Sequence, residues 1–424
     1  MQVFKFGGAS VKDAASVKNV LSILKKNSSN IPTLMVLSAM GKTTNLLEEL
    51  ASAYFKKEKN SVKNLFRLFR EQHENIRKAL YEDTPEKAVP NADWMEFIEE
   101  FQWELENPPV KHFDFHYDQI VSKGELASTL IVSEFLHHNT FEHALVDARD
   151  LLITDDTWRE ANVDYVRSEE KIKKICIPLL KEKGFILTQG FIGSTTENYT
   201  TTLGREGSDY SAALFSYFLD AEKMVVWKDV PGILNADPRY FKNPKRIPEL
   251  SYYDAIEMTY YGASVIHPKT IRPLQNKKIP LHVRSFIEPE TIGTIISEDY
   301  LKHKTTTYIY KPTQILISVQ PYDFSFVTET ALGFFFKTAA ENQVKIHLMH
   351  NSALNFSICT DFKEDRIMNF MEQLKKNFRV SYNTGVGLLT VRNYPQNMSM
   401  EELTGRKNVL LELKTRNTIQ MVIE

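Results

Sequence analysis

Cysteine is almost missing: Cys176 and Cys359 are the only two in 424 residues. They have neither the spacing of a zinc site nor enough partners for a disulfide framework, so both read as core thiols of a reducing compartment. Net charge is nearly missing too, with 52 basic against 54 acidic side chains. That excludes a basic field for nucleic acid and a polybasic tract for an anionic membrane, and any phosphate recognition must be local. No apolar run approaches the roughly 18 residues a membrane helix needs, and the N-terminal segment reads as a strand interrupted by Lys5, not as a secretory signal. A cytoplasmic protein with no nucleic-acid or membrane partner is the expectation. What is present is ordinary for a globular chain, 42% hydrophobic and 25% charged residues, with length for two or three domains.

From the start to about residue 300, short apolar runs alternate with helical patterns: TLMVLSA (33–39), HALVDA (143–148), FILTQGFIG (185–193), MVVWKDV (224–230) and LHVRSF (281–286). Such alternation predicts a mainly parallel sheet covered by helices. Residues 54–110, rich in Lys, Glu, Phe and Leu, read as an inserted helical subdomain with turn signals at DTPEKAVPN and ENPP. A polar, Thr-rich stretch at 297–313 marks a boundary. Beyond it, alternating runs at Ile315–Ile317–Val319, Val344–Ile346–Leu348 and Leu354–Phe356–Ile358 predict half-buried strands. Ile367, Phe370, Met371, Leu374 and Phe378 form the apolar face of a helix between them and VGLLTVRN. The resulting order, strand-helix-strand-strand-helix-strand, is ferredoxin-like. VGLLTVRN and a terminal hairpin, VLLELKTRNTIQMVIE, predict a second, shortened unit over the rest of 314–424.

Two stretches carry chemistry. In KFGGAS (5–10), a short β-rich segment runs into Lys5, Gly7, Gly8 and Ser10 ahead of a helical pattern. Bare backbone N–H groups and a point charge would suit an anion there, although taken alone the stretch reads first as an ordinary strand-to-helix turn with a solvated Lys5. In the segment 202–239, GREGSDYSAAL precedes an apolar helical run and can cap it with Ser208 or Asp209. Arg205 is either a solvated side chain or a bidentate clamp for a carboxylate. The strand MVVWKDV then exits into PGILNADPR, turn chemistry at the carboxyl end of a strand, where ligands bind in open α/β sheets.

Eight blocks, KFGGASV, VLSAMGKTTNLL, SKGELASTL, DARDLLITDD, TQGFIG, GREGSDYSAAL, WKDVPGILNADPR and YGASVIHPKT, occur in an order that resembles the aspartate kinases of the amino-acid kinase family. The C-terminal region resembles their regulatory ACT domains. This implies an α/β amino-acid kinase fold over 1–300, a mainly parallel sheet between helical layers, followed by ferredoxin-like ACT units over 314–424, one full and one shortened. The implied reaction moves the ATP γ-phosphoryl group to the side-chain carboxylate of L-aspartate, giving 4-phospho-L-aspartate, the first step toward lysine, threonine and methionine. By that resemblance Lys5 meets the phosphates, with Gly7, Gly8 and Ser10 around it, and Asp209 orients the lysine. Arg205 grips the substrate α-carboxylate, Glu125 meets its ammonium, Ser208 is a further substrate-binding position whose region presents N–H groups to an anion, and Ser38 and Thr44 line the pocket. Lys228, Asp229, Leu234, Asp237, Arg239 and Ser264 fall on the ATP side. Mg²⁺ is expected, held mainly by nucleotide and water, and no residue is assigned as a metal ligand. A homodimer or higher assembly through the ACT region, with an amino-acid effector there, is also implied.

Several positions depart from the family pattern: Ala9 for a common threonine, Glu206 for a glycine, Lys228 for a threonine, Leu234 for an aromatic residue and Ser264 for a lysine. Glu206 would set a like charge beside an anionic substrate, so its side chain is expected to turn away. Asp155 and Asp156 read as solvated loop acids, and His267 before Pro268 as a helix-end hydrogen-bond partner. His347 falls where lysine-sensitive relatives carry an acidic residue for the effector ammonium, and an imidazole would not pair with it. Two other readings stay open: a kinase for a different amino acid, and a catalytically silent amino-acid sensor.

Overall fold

The computed structural model describes residues 1–28, 31–82, 84, 92–263, 266–298, 305–323, 325–395 and 408–424. The strands are β1 (Gln2–Phe6), β2 (Thr33–Leu37), β3 (Ala144–Val146), β4 (Phe185–Gln189), β5 (Ile192–Ser194), β6 (Thr200–Thr202), β7 (Lys223–Lys228), β8 (Glu249–Ser251), β9 (Leu281–Ser285), β10 (Thr294–Ser297), β11 (Thr307–Pro321), β12 (Ile346–Asn351), β13 (Phe356–Asp361), β14 (Phe378–Arg392), β15 (Val409–Lys414) and β16 (Thr418–Ile423). The helices are α1 (Ala14–Asn27), α2 (Thr43–Phe55), α3 (Lys59–Leu80), α4 (Ala92–Glu106), α5 (Phe113–Val121), α6 (Lys123–His138), α7 (Ala148–Leu151), α8 (Tyr165–Lys183), α9 (Gly207–Phe218), α10 (Tyr252–Tyr261), α11 (Pro268–Asn276), α12 (Glu329–Glu341) and α13 (Glu364–Leu374).

Two units result. The first comprises Met1–Ile233, Pro248–Tyr253 and Ile266–Tyr300, and the second Leu234–Ile247, Asp254–Val265 and Leu301–Glu424. Two short segments before residue 300 thus belong with the C-terminal unit. In the first unit, described strands form one sheet in the order β3-β4-β2-β1-β7-β9-β10-β8. Neighbours from β3 to β9 are parallel, whereas β10 runs antiparallel to β9. Every residue of β1, β2 and β4 is buried, which is why β2 and β4 read as apolar runs and not as alternation. The run 185–193 is broken at its centre, because Phe191 adopts left-handed backbone (φ 70°) and turns β4 into the separate β5–β6 ribbon.

The helical stretch between 54 and 110 does not build a core of its own. Phe69 and Ile76 of α3 and Trp94, Ile98 and Phe101 of α4 join the apolar cluster that contains Phe4, Leu37 and Val132. Truncating a fully buried ring such as Phe69 would cost about 3–5 kcal/mol, so this layer holds the sheet in place. The DTPEKAVPN turn signal falls almost wholly outside the described residues.

In the second unit the described strands form an antiparallel sheet in the order β12-β13-β11-β14-β16-β15, with α12 and α13 packed on one face through Phe335, Phe370 and Leu374. The ferredoxin-like order is therefore present, over β11, α12, β12, β13, α13 and β14. VGLLTVRN does not start a separate strand: it continues β14, which pairs along its length with β11 across a bulge at Lys311–Gln314. One pair of long strands thus serves both expected units. Because β11 begins at Thr307, the sheet starts inside the polar stretch read as a boundary. The part of the second, shortened unit between VGLLTVRN and VLLELK falls on 396–407, outside the described residues.

Candidate active site

The site is assembled at the carboxyl ends of β1 and β2, where those strands hand over to helices, and of β4, where the chain turns into the β5–β6 ribbon. Lys5 is the penultimate residue of β1, in register with Val36 on β2 and Val226 on β7. Burying a lysine in the middle of a parallel sheet is unfavourable unless its ammonium is paired. Asp209, in the first turn of α9, supplies the partner: Lys5 Nζ lies 2.5 Å from Asp209 Oδ1, with Lys228 Nζ at 4.0 Å from Oδ2. Burial opposes ionisation of Asp209, but the Lys5 ammonium, reinforced by Lys228, outweighs it and holds the carboxyl below the usual range. Beyond β1 the chain makes a tight 3₁₀ turn over Gly8–Val11. Gly8 is required there, since a Cβ would sit 2.8 Å from the Ala39 carbonyl oxygen and 2.9 Å from that of Gly41. The backbone after β1 therefore lies directly on the backbone after β2.

Glu125, in the first turn of α6, is 3% exposed. Its Oε1 accepts from the Ala39 N–H at 3.3 Å, while Oε2 is buried with no partner among the described residues. Burial pushes this carboxyl up to about 8, against the Ala39 hydrogen bond and the Lys5 charge. A buried carboxylate oxygen without a donor is costly, and a cationic group from a ligand would satisfy it.

Lys5, Gly8, Ser38, Thr44, Glu125, Arg205, Ser208 and Asp209 line one cavity of about 690 Å³. The structure thus brings together every residue expected at the amino acid, with the lysine and its aspartate. Arg205 makes no hydrogen bond or ion pair among the described residues, and its side chain is exposed in the loop before α9. The expected nucleotide residues are less concentrated. Gly7 does not line the cavity, and Ser10 is buried beneath it, its Oγ donating to the Trp227 carbonyl at 3.4 Å. Lys228 reaches Asp209 from the end of β7, and Asp229 follows it, exposed. Leu234, Asp237 and Arg239 belong to the second unit, where Arg239 pairs with Asp237 at 2.6 Å. Ser264 lies outside the described residues.

Residues 1–285 match the model of the amino acid kinase family. A curated aspartokinase of Chlamydia pneumoniae is 30% identical over 78% of this chain and 70% of its own. The chain belongs to the amino acid kinase family, among its aspartokinases. The lysine-sensitive aspartokinase 3 of Escherichia coli is 35% identical over 69% of this chain, which spans 63% of that relative's length. In three dimensions the chain matches E. coli aspartokinase III over its full length. The TM-score is 0.81 against that protein's complex with lysine and aspartate and 0.78 against its complex with aspartate and ADP, at 26% identity and 95% and 96% coverage of those chains.

Against the pattern of such kinases, the Glu206 departure has a structural answer. Glu206 takes left-handed backbone (φ 54°) that a glycine would occupy without strain, and its Oε2 accepts from the His267 N–H at 3.0 Å. The carboxylate is thereby tied to the start of α11. His267 also accepts from the Lys269 N–H through Nδ1 at 3.2 Å, as a helix cap. Asp155 is consumed by its own loop, accepting from the N–H groups of Thr157 and Asn162. One group of cavity residues went unread in the sequence: Glu48, Asp114, Tyr117 and Arg159. They come from α2, α5 and a loop, and no spacing announces that these elements converge.

Proposed function

We propose that this chain is an aspartate kinase, transferring the γ-phosphoryl group of ATP to the side-chain carboxylate of L-aspartate to give 4-phospho-L-aspartate and ADP, the first step toward lysine, threonine and methionine. The carrying observation is that, among the described residues, the buried Oε2 of Glu125 has no partner and shares its cavity with Arg205, likewise unpaired among them, and with the Lys5–Asp209 pair. An α-amino acid is a zwitterion, and Glu125 and Arg205 offer opposite charges to its ammonium and α-carboxylate. Its side-chain carboxylate is then directed to Lys5. A carboxylate is already a nucleophile near neutral pH, so no base is needed: one of its oxygens bonds to the γ-phosphorus as the bond to the β,γ-bridging oxygen breaks and the electron pair leaves with ADP. The obstacle is the meeting of two anions, and Lys5, held by Asp209, places positive charge where they meet.

The described residues contain no group of three or more carboxylate, histidine or cysteine side chains fit to hold a metal. Mg²⁺ is proposed to arrive on the ATP phosphates, where it neutralises charge. Both cysteines are free and buried, in keeping with work in a reducing cytoplasm, and no described helix is long and apolar enough to cross a membrane. ADP release measured over a panel of amino acids tests the substrate assignment. L-aspartate is expected to be turned over in preference to L-glutamate, and equal use of both would refute it.

For the second unit we propose an assembly and effector role, with a homodimer formed through its sheet and weak or absent inhibition by lysine. His347 of β12 supports the second half. Its Nδ1 is 3.0 Å from Lys311 Nζ and its Nε2 3.1 Å from Asp361 Oδ1. Burial and the Lys311 charge lower its pKa, which disfavours the charged ring, and Lys311 already occupies Nδ1.

A further inference from the structure

Arg159 lines the active-site cavity with left-handed backbone, φ 70°. That conformation is disfavoured for a residue with a Cβ and persists only where its surroundings impose it. Asp118 imposes it here. Both carboxylate oxygens of Asp118 accept from the Arg159 N–H at 3.1 Å, while the same carboxylate accepts from the Thr202 N–H at 2.9 Å and its hydroxyl at 2.7 Å. Asp118 is fully buried. A buried carboxylate is therefore committed to the backbone of Arg159, in a place where glycine would take the same shape without strain.

The arginine side chain gives the fold little in return. It is half exposed, lies over the Tyr117 ring at 4.4 Å, and reaches Asp114 Oδ1 at 3.2 Å. An ion pair between two half-exposed side chains is weak and readily exchanged. Tyr117 is itself fixed, its hydroxyl donating to Glu48 Oε1 at 2.6 Å, so the guanidinium rests on a firm aromatic platform facing the cavity. The loop that carries Arg205 leans on this same segment: a Cβ on Gly204 would be 3.1 Å from the Arg159 carbonyl oxygen and 3.0 Å from Glu160 Cγ. Arg205 thus starts beside Arg159, and both arginines line the cavity.

We propose that Arg159 is a specificity-determining residue which, together with Arg205, binds the α-carboxylate of the amino acid substrate, giving up Asp114 for it. The proposal rests on the reading of this chain as an aspartate kinase. A substrate with two carboxylates and one ammonium then has a cation for each anion and Glu125 for its own cation. Arg159 touches substrate without meeting the transferring phosphoryl group, so its loss acts on KM and not on kcat.

The test is steady-state kinetics on the full chain with Arg159→Gly and Arg159→Lys, using L-aspartate as substrate and L-aspartic acid α-amide, whose α-carboxylate is replaced by a neutral amide, as a competing ligand. R159G removes the guanidinium and relieves the backbone, so its melting temperature should hold or rise. Its KM for L-aspartate should increase roughly fivefold or more, with KM for ATP and kcat changed less than about twofold and the inhibition constant of the α-amide unchanged. R159K should fall between. A smaller rise in KM for L-aspartate, an equal weakening of the α-amide, or a parallel rise in KM for ATP overturns the proposal. Wild-type protein that fails to turn over L-aspartate would overturn the functional reading as well, whereas active wild type with an indifferent R159G overturns only the role of Arg159.

Discussion

Lys5 Nζ and Asp209 Oδ1 stand 2.5 Å apart with side chains only 11% and 6% exposed, one on the central strand of a parallel sheet and the other in the first turn of a helix about 200 residues later. The pair joins the N-terminal strand to the first turn of α9, and it makes the charge proposed to act in the chemistry also a part of the fold.

Removing that charge should therefore have two effects. Lys5→Ala is expected to lower turnover by more than tenfold, at least ~1.4 kcal/mol in the barrier. It should also destabilise the chain by about 3–5 kcal/mol, because Asp209 is left buried and unpaired. Denaturant titration beside turnover measures both. A variant that keeps wild-type turnover removes Lys5 from the mechanism.

Glu125 predicts a pH dependence with a definite sign. Its carboxyl is raised to about 8 in the folded chain from an ordinary value of 4.5, so between those values the folded state holds more protons than the unfolded one. The contribution of this group to stability is present at low pH and declines as pH rises through about 8. Aspartate binding asks for the ionised form. Calorimetry near pH 7 in buffers of different ionisation enthalpy should show proton release on binding L-aspartate, and Glu125→Gln should abolish the release while weakening affinity. Proton-neutral binding by the wild type would contradict this role.

Arg205 is exposed and unpaired among the described residues, so Arg205→Ala should leave stability within about 0.5 kcal/mol of wild type. It should raise KM for L-aspartate about tenfold, worth ~1.4 kcal/mol, with ATP little affected. Loss of both substrates together would point instead to a distorted loop.

At Gly8 the prediction is steric. Gly8→Ala places a methyl group 2.8 Å from the Ala39 carbonyl oxygen, a backbone neighbour that cannot step aside cheaply. A loss of about 1–3 kcal/mol is expected, accompanied by lost turnover because Lys5 and Glu125 are both anchored beside that contact. Thermal unfolding of the variant checks it, and an unchanged midpoint would show that the two loops separate freely.

For the second unit, turnover measured against lysine and threonine, alone and combined, should show little inhibition by lysine, and light scattering should give at least a dimer. Strong inhibition by lysine at sub-millimolar concentration, or a monomer at working concentration, would contradict the respective half of the proposal.

The residues expected around the amino acid were legible because each sits in a short block that resembles a block of the aspartate kinases, such as the lysine near the end of the first strand, the paired glycines after it and the acid in the first turn of α6. The expected capping of α9 by Ser208 or Asp209 is not made, since its N-cap is Glu206 with no side-chain cap. The parallel sheet was legible because fully buried strands announce themselves as continuous apolar runs. What escaped depends on where distant segments meet. Arg159 owes its left-handed backbone to Asp118, 41 positions earlier, and an arginine in a TWREA stretch carries no mark of that. Likewise β11 and β14 pass through both halves of the C-terminal sheet as single strands, a matter of pairing across the sheet that alternation within each strand does not encode. The helical layer of α3 and α4 read by composition as an inserted subdomain, and its rings complete the core under β1.

The most direct measurement is a single assay of acyl phosphate formation. Purified protein with ATP, Mg²⁺ and L-aspartate, in the presence of hydroxylamine, should accumulate aspartyl hydroxamate in step with ADP. The product should vanish when L-aspartate is omitted and fall more than about tenfold with Lys5→Ala. Folded wild-type protein that releases no ADP and forms no hydroxamate, or that forms hydroxamate equally well from L-glutamate, would contradict the assignment of this cavity as an aspartate kinase site.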